Sequence, residues 1–280
     1  MEWDAGVPPP ESEPAEPDLS EAEPPEPNAS IPDEGPAPWG LRGAMYVTVL
    51  ACVSQLVFGL LLGGIAGAII VWLDPGLVRS QEELAEAILQ VTIIPLAILS
   101  SLFTLGLIYA SVVFVCRRPF LESLGLRRPD PSSLAGSLLL GAVAAALYVG
   151  VALLLPPGPD QEPGGPISKL AESGPFGHAV WIFLAVVMAP AVEEILFRGY
   201  AYLGARRKLG PVGAGAVVTV FFLLLHVTET GAYLPALAGI GTLATVLVVL
   251  MERTGNLTYC IACHLGYNAM LATMSMFGAE

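Results

Sequence analysis

Long runs of apolar residues, free of Asp, Glu, Lys and Arg, recur along almost the whole of this 280-residue chain. We identify seven such runs, at residues 43–73, 89–116, 134–155, 176–192, 212–227, 234–251 and 257–277. Their lengths approach or exceed the roughly 20 apolar residues that an α-helix needs to cross a bilayer. The strands of a transmembrane β-barrel would instead alternate apolar and polar residues. The sequence therefore predicts an all-α, polytopic helical membrane protein with about seven transmembrane helices, and six to eight as the range.

Composition divides the chain into two parts. Residues 1–40 hold eleven Asp or Glu, eleven Pro and no Lys or Arg, so they predict a disordered, acidic, Pro-rich cytoplasmic tail. Such a tail is either a spacer or partner-binding arm, or a tolerated extension. The rest, 41–280, is the predicted transmembrane helical domain. With 54% hydrophobic and only 13% charged residues overall, the chain is expected to have the lipid bilayer as a partner and no nucleic acid.

Lysine and arginine are unevenly divided between the two sets of loops that seven spans create. One set holds ten of the twelve, from Arg42 through the clusters at 117–128 and 198–208 to Arg253, and the other holds Arg79 and Lys169. Basic loops favour the cytoplasm, so we expect the N-terminus inside and the C-terminus outside. The Ala/Gly/Pro-rich composition favours a bacterial cytoplasmic membrane.

Two adjacent carboxylates, Glu193 and Glu194, directly follow the fourth apolar run. Ionisable residues within membrane spans are costly and usually functional. Arg198 lies four residues after Glu194, a spacing that brings the two side chains together on one helical face. Taken alone, this group would indicate an interfacial ion pair.

The histidines favour a functional interpretation. Of three in the chain, His226 and His264 lie in apolar runs, and Asn268 follows His264 by one helical turn. Glu194 and His226 are equally far along the chain from a Gly-Pro turn at 210–211, so an antiparallel hairpin places them at similar depth. The sequence thus predicts one shared polar site in the cytoplasmic half of the membrane.

Three motifs mark this site: E-E-x-x-x-R at 193–198, F-x-x-x-H at 222–226 and H-x-x-x-N at 264–268. They resemble the motifs of the CPBP family of intramembrane proteases, also called the CAAX prenyl protease 2 or ABI family. The resemblance covers about 181–272, with no departure at a motif position. It implies a helical bundle, with a protease core at about 176–277, that hydrolyses a peptide bond in a cavity open to the cytoplasm.

The side-chain chemistry and the resemblance together give each residue an expected role. A carboxylate beside a water can take its proton, which makes Glu193 the expected general base. The resemblance implies that His226 shares and orients this water. Preorganised hydrogen-bond donors stabilise the oxyanion that develops on the scissile carbonyl. The positive charge of Arg198 offsets the negative charge of the second carboxylate, Glu194. His264 and Asn268 are therefore the expected oxyanion donors, and Glu194 and Arg198 are expected to form an ion pair.

Glutamate and histidine are also ligands of catalytic zinc. If a metal is present, Glu193, His226 and His264 are its expected ligands. The chain lacks the H-E-x-x-H spacing of helical zinc sites. We therefore favour a glutamate-dependent hydrolase without a cofactor and keep a zinc metalloprotease as the alternative.

The expected substrate is a membrane-associated protein or peptide, cleaved near its C-terminus. The resemblance suggests prenylated proteins or C-terminal sorting tails, and the motifs do not separate these. A proton-coupled membrane transporter using the same buried Glu and His residues is the competing function. It predicts polar residues in the outer halves of the spans, where we find few beyond hydroxyls. A non-catalytic scaffold predicts that replacing Glu193 or His226 changes nothing.

Overall fold

The structure is a computed structural model that describes residues 37–73, 80–158, 161, 170–171 and 174–277. Within these ranges every regular element is a helix, so the all-α prediction is confirmed. The helices are α1 (Gly40–Leu73), α2 (Gln81–Tyr109, continued by a π-helix over Ala110–Val115), α3 (Phe120–Ser123), α4 (Pro131–Leu154), α5 (Pro175–His226), α6 (Leu234–Thr254) and α7 (Leu257–Phe277). Residues 1–36 of the predicted tail, Arg79 and Lys169 lie outside the described residues.

Five of these helices, α1, α2, α4, α5 and α6, are long and apolar enough to cross a membrane. The 52-residue α5 contains two of the seven predicted apolar runs, 176–192 and 212–227. The seventh run corresponds to α7, which is less apolar because it carries His264 and Asn268. The chain is therefore an integral membrane protein of helical type.

Helix α5 folds back on itself at Gly210, whose backbone is not helical (φ 69°, ψ 170°). Phe197 and Phe222 lie at almost equal distances along the chain from this point, and their ring centroids are 5.2 Å apart. The two arms of α5 therefore run antiparallel, as the Gly-Pro turn predicts. Arg206 near the turn donates to Glu252 of α6 at 2.5 Å, which ties the hairpin to its neighbour.

Two glycines let α4 and α7 approach until their backbones touch. A Cβ added at Gly141 of α4 would lie 1.8 Å from the carbonyl oxygen of Cys263. A Cβ added at Gly266 of α7 would lie 2.1 Å from the carbonyl oxygen of Leu138. Real Cβ atoms do not come this close to backbone atoms. α7 can therefore lie this close to α4 only because both residues are glycines, which have no side chain.

Trp39 fixes the start of α1 against α5. Its ring stacks on Tyr200 with centroids 4.6 Å apart, and its Nε1 donates to the Tyr200 carbonyl at 2.9 Å. The Tyr200 hydroxyl in turn shares a hydrogen bond with Ser111, at the end of α2. These contacts join α1, α2 and α5 around the segment that carries the glutamate pair.

Candidate active site

Glu194 and Arg198 form an ion pair inside the helix bundle. Arg198 Nη1 donates to Glu194 Oε1 at 2.9 Å, and both side chains are fully buried. Arg198 Nη2 donates to the Ala244 carbonyl at 3.2 Å, and the guanidinium lies 4.8 Å from the centroid of the Phe222 ring. From the sequence, Arg198 was assigned to the basic loop residues. That assignment was wrong, because Arg198 lies within a helix and has no exposed surface.

His264 joins α7 to this ion pair. Its Nδ1 lies 2.8 Å from Glu194 Oε1, and its Nε2 lies 3.8 Å from Glu193 Oε2. The result is a continuous line of groups from Arg198 through Glu194 and His264 to Glu193. The last of these is the most exposed, since the Glu193 side chain is 28% exposed whereas that of His264 is 4% exposed.

Two π-helical segments of α5, Phe183–Met188 and Ile195–Tyr202, lie on either side of the glutamates. In a π-helix an N–H bonds to the carbonyl five residues earlier. The fifth residue after Ala185 is Pro190, which has no N–H to give. Asn268 Nδ2 donates to the Ala185 carbonyl at 2.8 Å. The Asn268 amide thus supplies the missing donor and holds α7 against the segment that leads to Glu193.

His226 occupies the end of the second arm of α5. Its Nδ1 lies 2.8 Å from the Phe222 carbonyl. Because a carbonyl only accepts, Nδ1 carries a hydrogen and Nε2 is the nitrogen left for other partners. The Phe222 ring centroid is 4.4 Å from that of His226 and 6.1 Å from that of His264. Phe222 therefore brings His226 to the group, and within the described residues no hydrogen bond joins His226 to either glutamate.

Glu229 and the Phe222 ring are part of the site, although no role was predicted for them from the sequence. Glu229 Oε2 lies 3.8 Å from His226 Nε2, and its side chain is 58% exposed. Glu229 also interacts electrostatically with Glu193 on the other arm of α5. The sequence does indicate the contact with His226, because Glu229 follows it by three residues and i,i+3 side chains are neighbours where a helical turn continues.

The arrangement of Glu193, His226 and His264 bears on the alternative zinc site. In the part of the chain that the structure describes, no three His, Cys, Asp or Glu side chains are grouped so that they could hold a metal ion. Both Nδ1 atoms face acceptors of the protein, so only the Nε2 atoms remain as ligands. The three side chains as arranged here do not fit a metal centre, and we assign no step to a metal.

His264 lies closer to the end of the bundle that carries the basic loops than to the other end of α7. The Leu257 N–H donates to the Gly125 carbonyl at 2.8 Å, and Thr258 Oγ1 donates to the Arg127 carbonyl at 2.9 Å. His264 comes seven residues after Leu257, which at 1.5 Å per residue is about 10 Å along α7.

Comparison with known proteins finds a family model that matches the part of the chain that carries the site. Residues 175–270 match the family model described as Type II CAAX prenyl endopeptidase, Rce1-like. The matched segment contains α5, α6, most of α7 and all three motifs, and it confirms the resemblance predicted from those motifs. No curated protein and no solved structure matches the chain.

Proposed function

We propose that this chain, whose residues 175–270 match the Rce1-like family model, is an endopeptidase that cleaves membrane-associated proteins or peptides near their C-terminus. The observation that carries the proposal is the line of groups from the buried Arg198 to the partly exposed Glu193. A simple structural ion pair does not need a second carboxylate at the open end of such a line. Substrates that carry a prenyl group or a C-terminal sorting tail are the proposed classes.

Glu193 is the proposed general base. It is the most exposed member of the line, whereas the Glu194 side chain is fully buried and its Oε1 already faces Arg198 and His264. Glu193 takes one proton from the nucleophilic water while the water oxygen attacks the scissile carbonyl carbon. The same proton then passes to the leaving amine, so the carboxylate is regenerated.

His226 orients this water through Nε2, its free nitrogen. A water that donates one hydrogen to Glu193 and the other to His226 has its lone pairs turned towards the carbonyl carbon. This use of two acceptors fixes the nucleophile in one orientation, which lowers the entropic part of the barrier.

His264 and Asn268 are the proposed donors to the oxyanion. His264 Nδ1 donates to Glu194 and leaves Nε2 facing the reaction space, where in the imidazolium form its hydrogen is donated to the developing negative charge. The Asn268 amide has two hydrogens, of which one bonds to Ala185. The second is available to the same oxyanion. Such donors are most effective where water is excluded.

The first test is cleavage of a quenched-fluorescence peptide library by protein purified in detergent. We expect cleavage by the wild type, and a loss of about 10²–10⁴-fold in Glu193→Gln and in His226→Ala, because each removes one acceptor of the water. Glu122→Gln, an exposed carboxylate on α3, is the control and should keep full activity.

A chelator separates the two catalytic types in the same assay. Wild-type activity that survives the chelator supports a glutamate-dependent enzyme without a metal. Activity lost in chelator and restored by zinc would instead make Glu193, His226 and His264 ligands. Absence of cleavage by the wild type, together with proton flux in liposomes that depends on Glu193, would replace the protease by the transporter.

We also propose that the basic end faces the cytoplasm of a bacterial cell. With Arg198 removed from the count, nine basic residues remain in that set of loops against two in the other. A cysteine introduced at the exposed Lys208 of an otherwise cysteine-free variant should react with an impermeant thiol reagent only after the cells are opened. Reaction in intact cells would reverse the orientation.

A further inference from the structure

The turn between α5 and α6 places a carboxylate beside the free nitrogen of His226. Glu229 Oε2 lies 3.8 Å from His226 Nε2, on the side of the ring opposite the Phe222 carbonyl that holds Nδ1. The separation is too long for a hydrogen bond, but it lets the carboxylate attract a positive charge that develops on the imidazole. Within the described residues, His226 is the only basic side chain within ion-pair distance of Glu229.

The turn that carries Glu229 is held by its own hydrogen bonds. The Thr230 N–H donates to the His226 carbonyl at 3.0 Å, and Thr230 Oγ1 donates to the Val227 carbonyl at 3.1 Å. The hydroxyl of Tyr233 donates to the Leu155 carbonyl at the end of α4. Thr230 and Tyr233 are both buried, although the turn itself is at the surface. Glu229 is therefore presented from a fixed backbone.

The negative charge of Glu229 acts on the same groups as the proposed reaction. It interacts with His226 directly and with Glu193 through space. No Lys or Arg within the described residues contacts it, because the basic residues there lie at the opposite end of the bundle or are paired elsewhere. His226 thus stands between two carboxylates from different parts of the hairpin.

We propose that Glu229 is a positioning residue for hydrolysis, which acts through His226 and rests on the proposed function. Its carboxylate attracts the positive charge that the imidazole gains as Nε2 draws on a hydrogen of the nucleophilic water. This strengthens the bond between Nε2 and that water and keeps the ring in the orientation that Phe222 sets. Glu229 itself takes no proton from the water, and the proton goes to Glu193 as before.

The test compares Glu229→Gln, which removes the charge and keeps the shape, with Glu229→Asp, which keeps the charge. In the peptide assay we expect Glu229→Gln to lower kcat about 10-fold with KM unchanged, because the water is bound less firmly in the transition state. Glu229→Asp should recover most of kcat. Thr228→Ala, an exposed change in the same turn, is the control for disturbance of the backbone and should leave both constants unchanged.

A second measurement does not depend on activity. The chain has only three histidines, so selective ¹⁵N-histidine labelling gives three imidazole rings to assign. We expect Glu229→Gln to shift the Nε2 resonance of His226 while Thr228→Ala and Glu229→Asp leave it near the wild-type position.

Three outcomes would overturn the inference or its basis. Equal kcat in wild type and Glu229→Gln, with Glu193→Gln inactive, would reject the role of Glu229 and keep the protease. A rise in KM alone would make Glu229 a substrate contact rather than a positioning residue. If the wild type cleaves nothing, the proposed function fails, and an unshifted His226 resonance in Glu229→Gln would then reject the contact as well.

Discussion

Replacing Arg198 by methionine should destabilise the protein by about 3–5 kcal/mol, because it leaves the Glu194 carboxylate charged and buried without its cation. The side chains of both residues are fully buried, and the guanidinium also donates to the Ala244 carbonyl. Methionine keeps a similar volume against the Phe222 ring, so the loss of stability is caused by the loss of the charge and not by a change in packing. Thermal unfolding in detergent, followed by circular dichroism, is the measurement.

The double variant Arg198→Met with Glu194→Gln identifies the cause of that loss. Neutralising both partners should restore most of the stability, since a buried pair replaced by uncharged residues is often neutral. The amide that replaces the Glu194 carboxylate would still offer an oxygen to His264 Nδ1. We expect cleavage to stay low, because the charge that His264 faces is gone. Equal instability of the single and double variants would contradict this explanation.

A second arginine–glutamate pair provides a matched control. Arg206 and Glu252 are joined by a bond of 2.5 Å, but their side chains are 25% and 28% exposed. Solvent then screens both charges, so Arg206→Met should cost about 1 kcal/mol or less. A cost as large as that of Arg198→Met would show that burial is not what distinguishes the two pairs.

The hairpin of α5 could be predicted because its evidence is local. Gly210 and Pro211 stop the helix, and residues at equal distances from that stop must meet if the arms run back together. Phe197 and Phe222 meet in this way. The ion pair of Glu194 and Arg198 follows from helical spacing alone. These inferences need one helix or one turn, and nothing from the rest of the chain.

The site details that escaped prediction depend on contacts between helices. An α-helical register assigns the carbonyl that Pro190 leaves free to Val186, whereas the π-helix moves it to Ala185. Asn268 reaches that carbonyl from α7, and no pattern within α5 indicates this. Arg198 was placed in a loop because its charge suggested solvent. Its burial depends on the Ala244 carbonyl of α6 and on the Phe222 ring of the second arm of α5, which sequence spacing does not show.

The close contact of α4 and α7 was also not predicted, although it sets the position of His264. Glycine is frequent in this chain, with 30 residues, so the sequence does not distinguish Gly141 from glycines that face open space. In the structure Gly136 and Gly150 of the same helix have no atom within 4 Å of an added Cβ. Gly141 differs from Gly136 and Gly150 in what the neighbouring helix places against it, and not in the sequence of α4 itself.

Gly141→Ala should therefore be the most damaging single-methyl change in α4. The new Cβ would lie 1.8 Å from the Cys263 carbonyl oxygen, and a backbone atom cannot turn away as a side chain can. Overpacking typically costs about 1–3 kcal/mol, and we expect a value at or above the top of that range. Because Cys263 precedes His264, the displaced α7 also moves His264 away from Glu194, so cleavage should fall together with the unfolding temperature.

Gly136→Ala and Gly150→Ala are the controls, since each adds the same methyl group to α4 without a neighbour to displace. Alanine is the better helix former by about 1 kcal/mol, so both variants should unfold at or slightly above the wild-type temperature and cleave normally. If Gly141→Ala behaved like these two, α4 and α7 would have to lie farther apart than the structure places them. His264 would then need another support to reach Glu194, because the contact of α7 with α4 would no longer set its position.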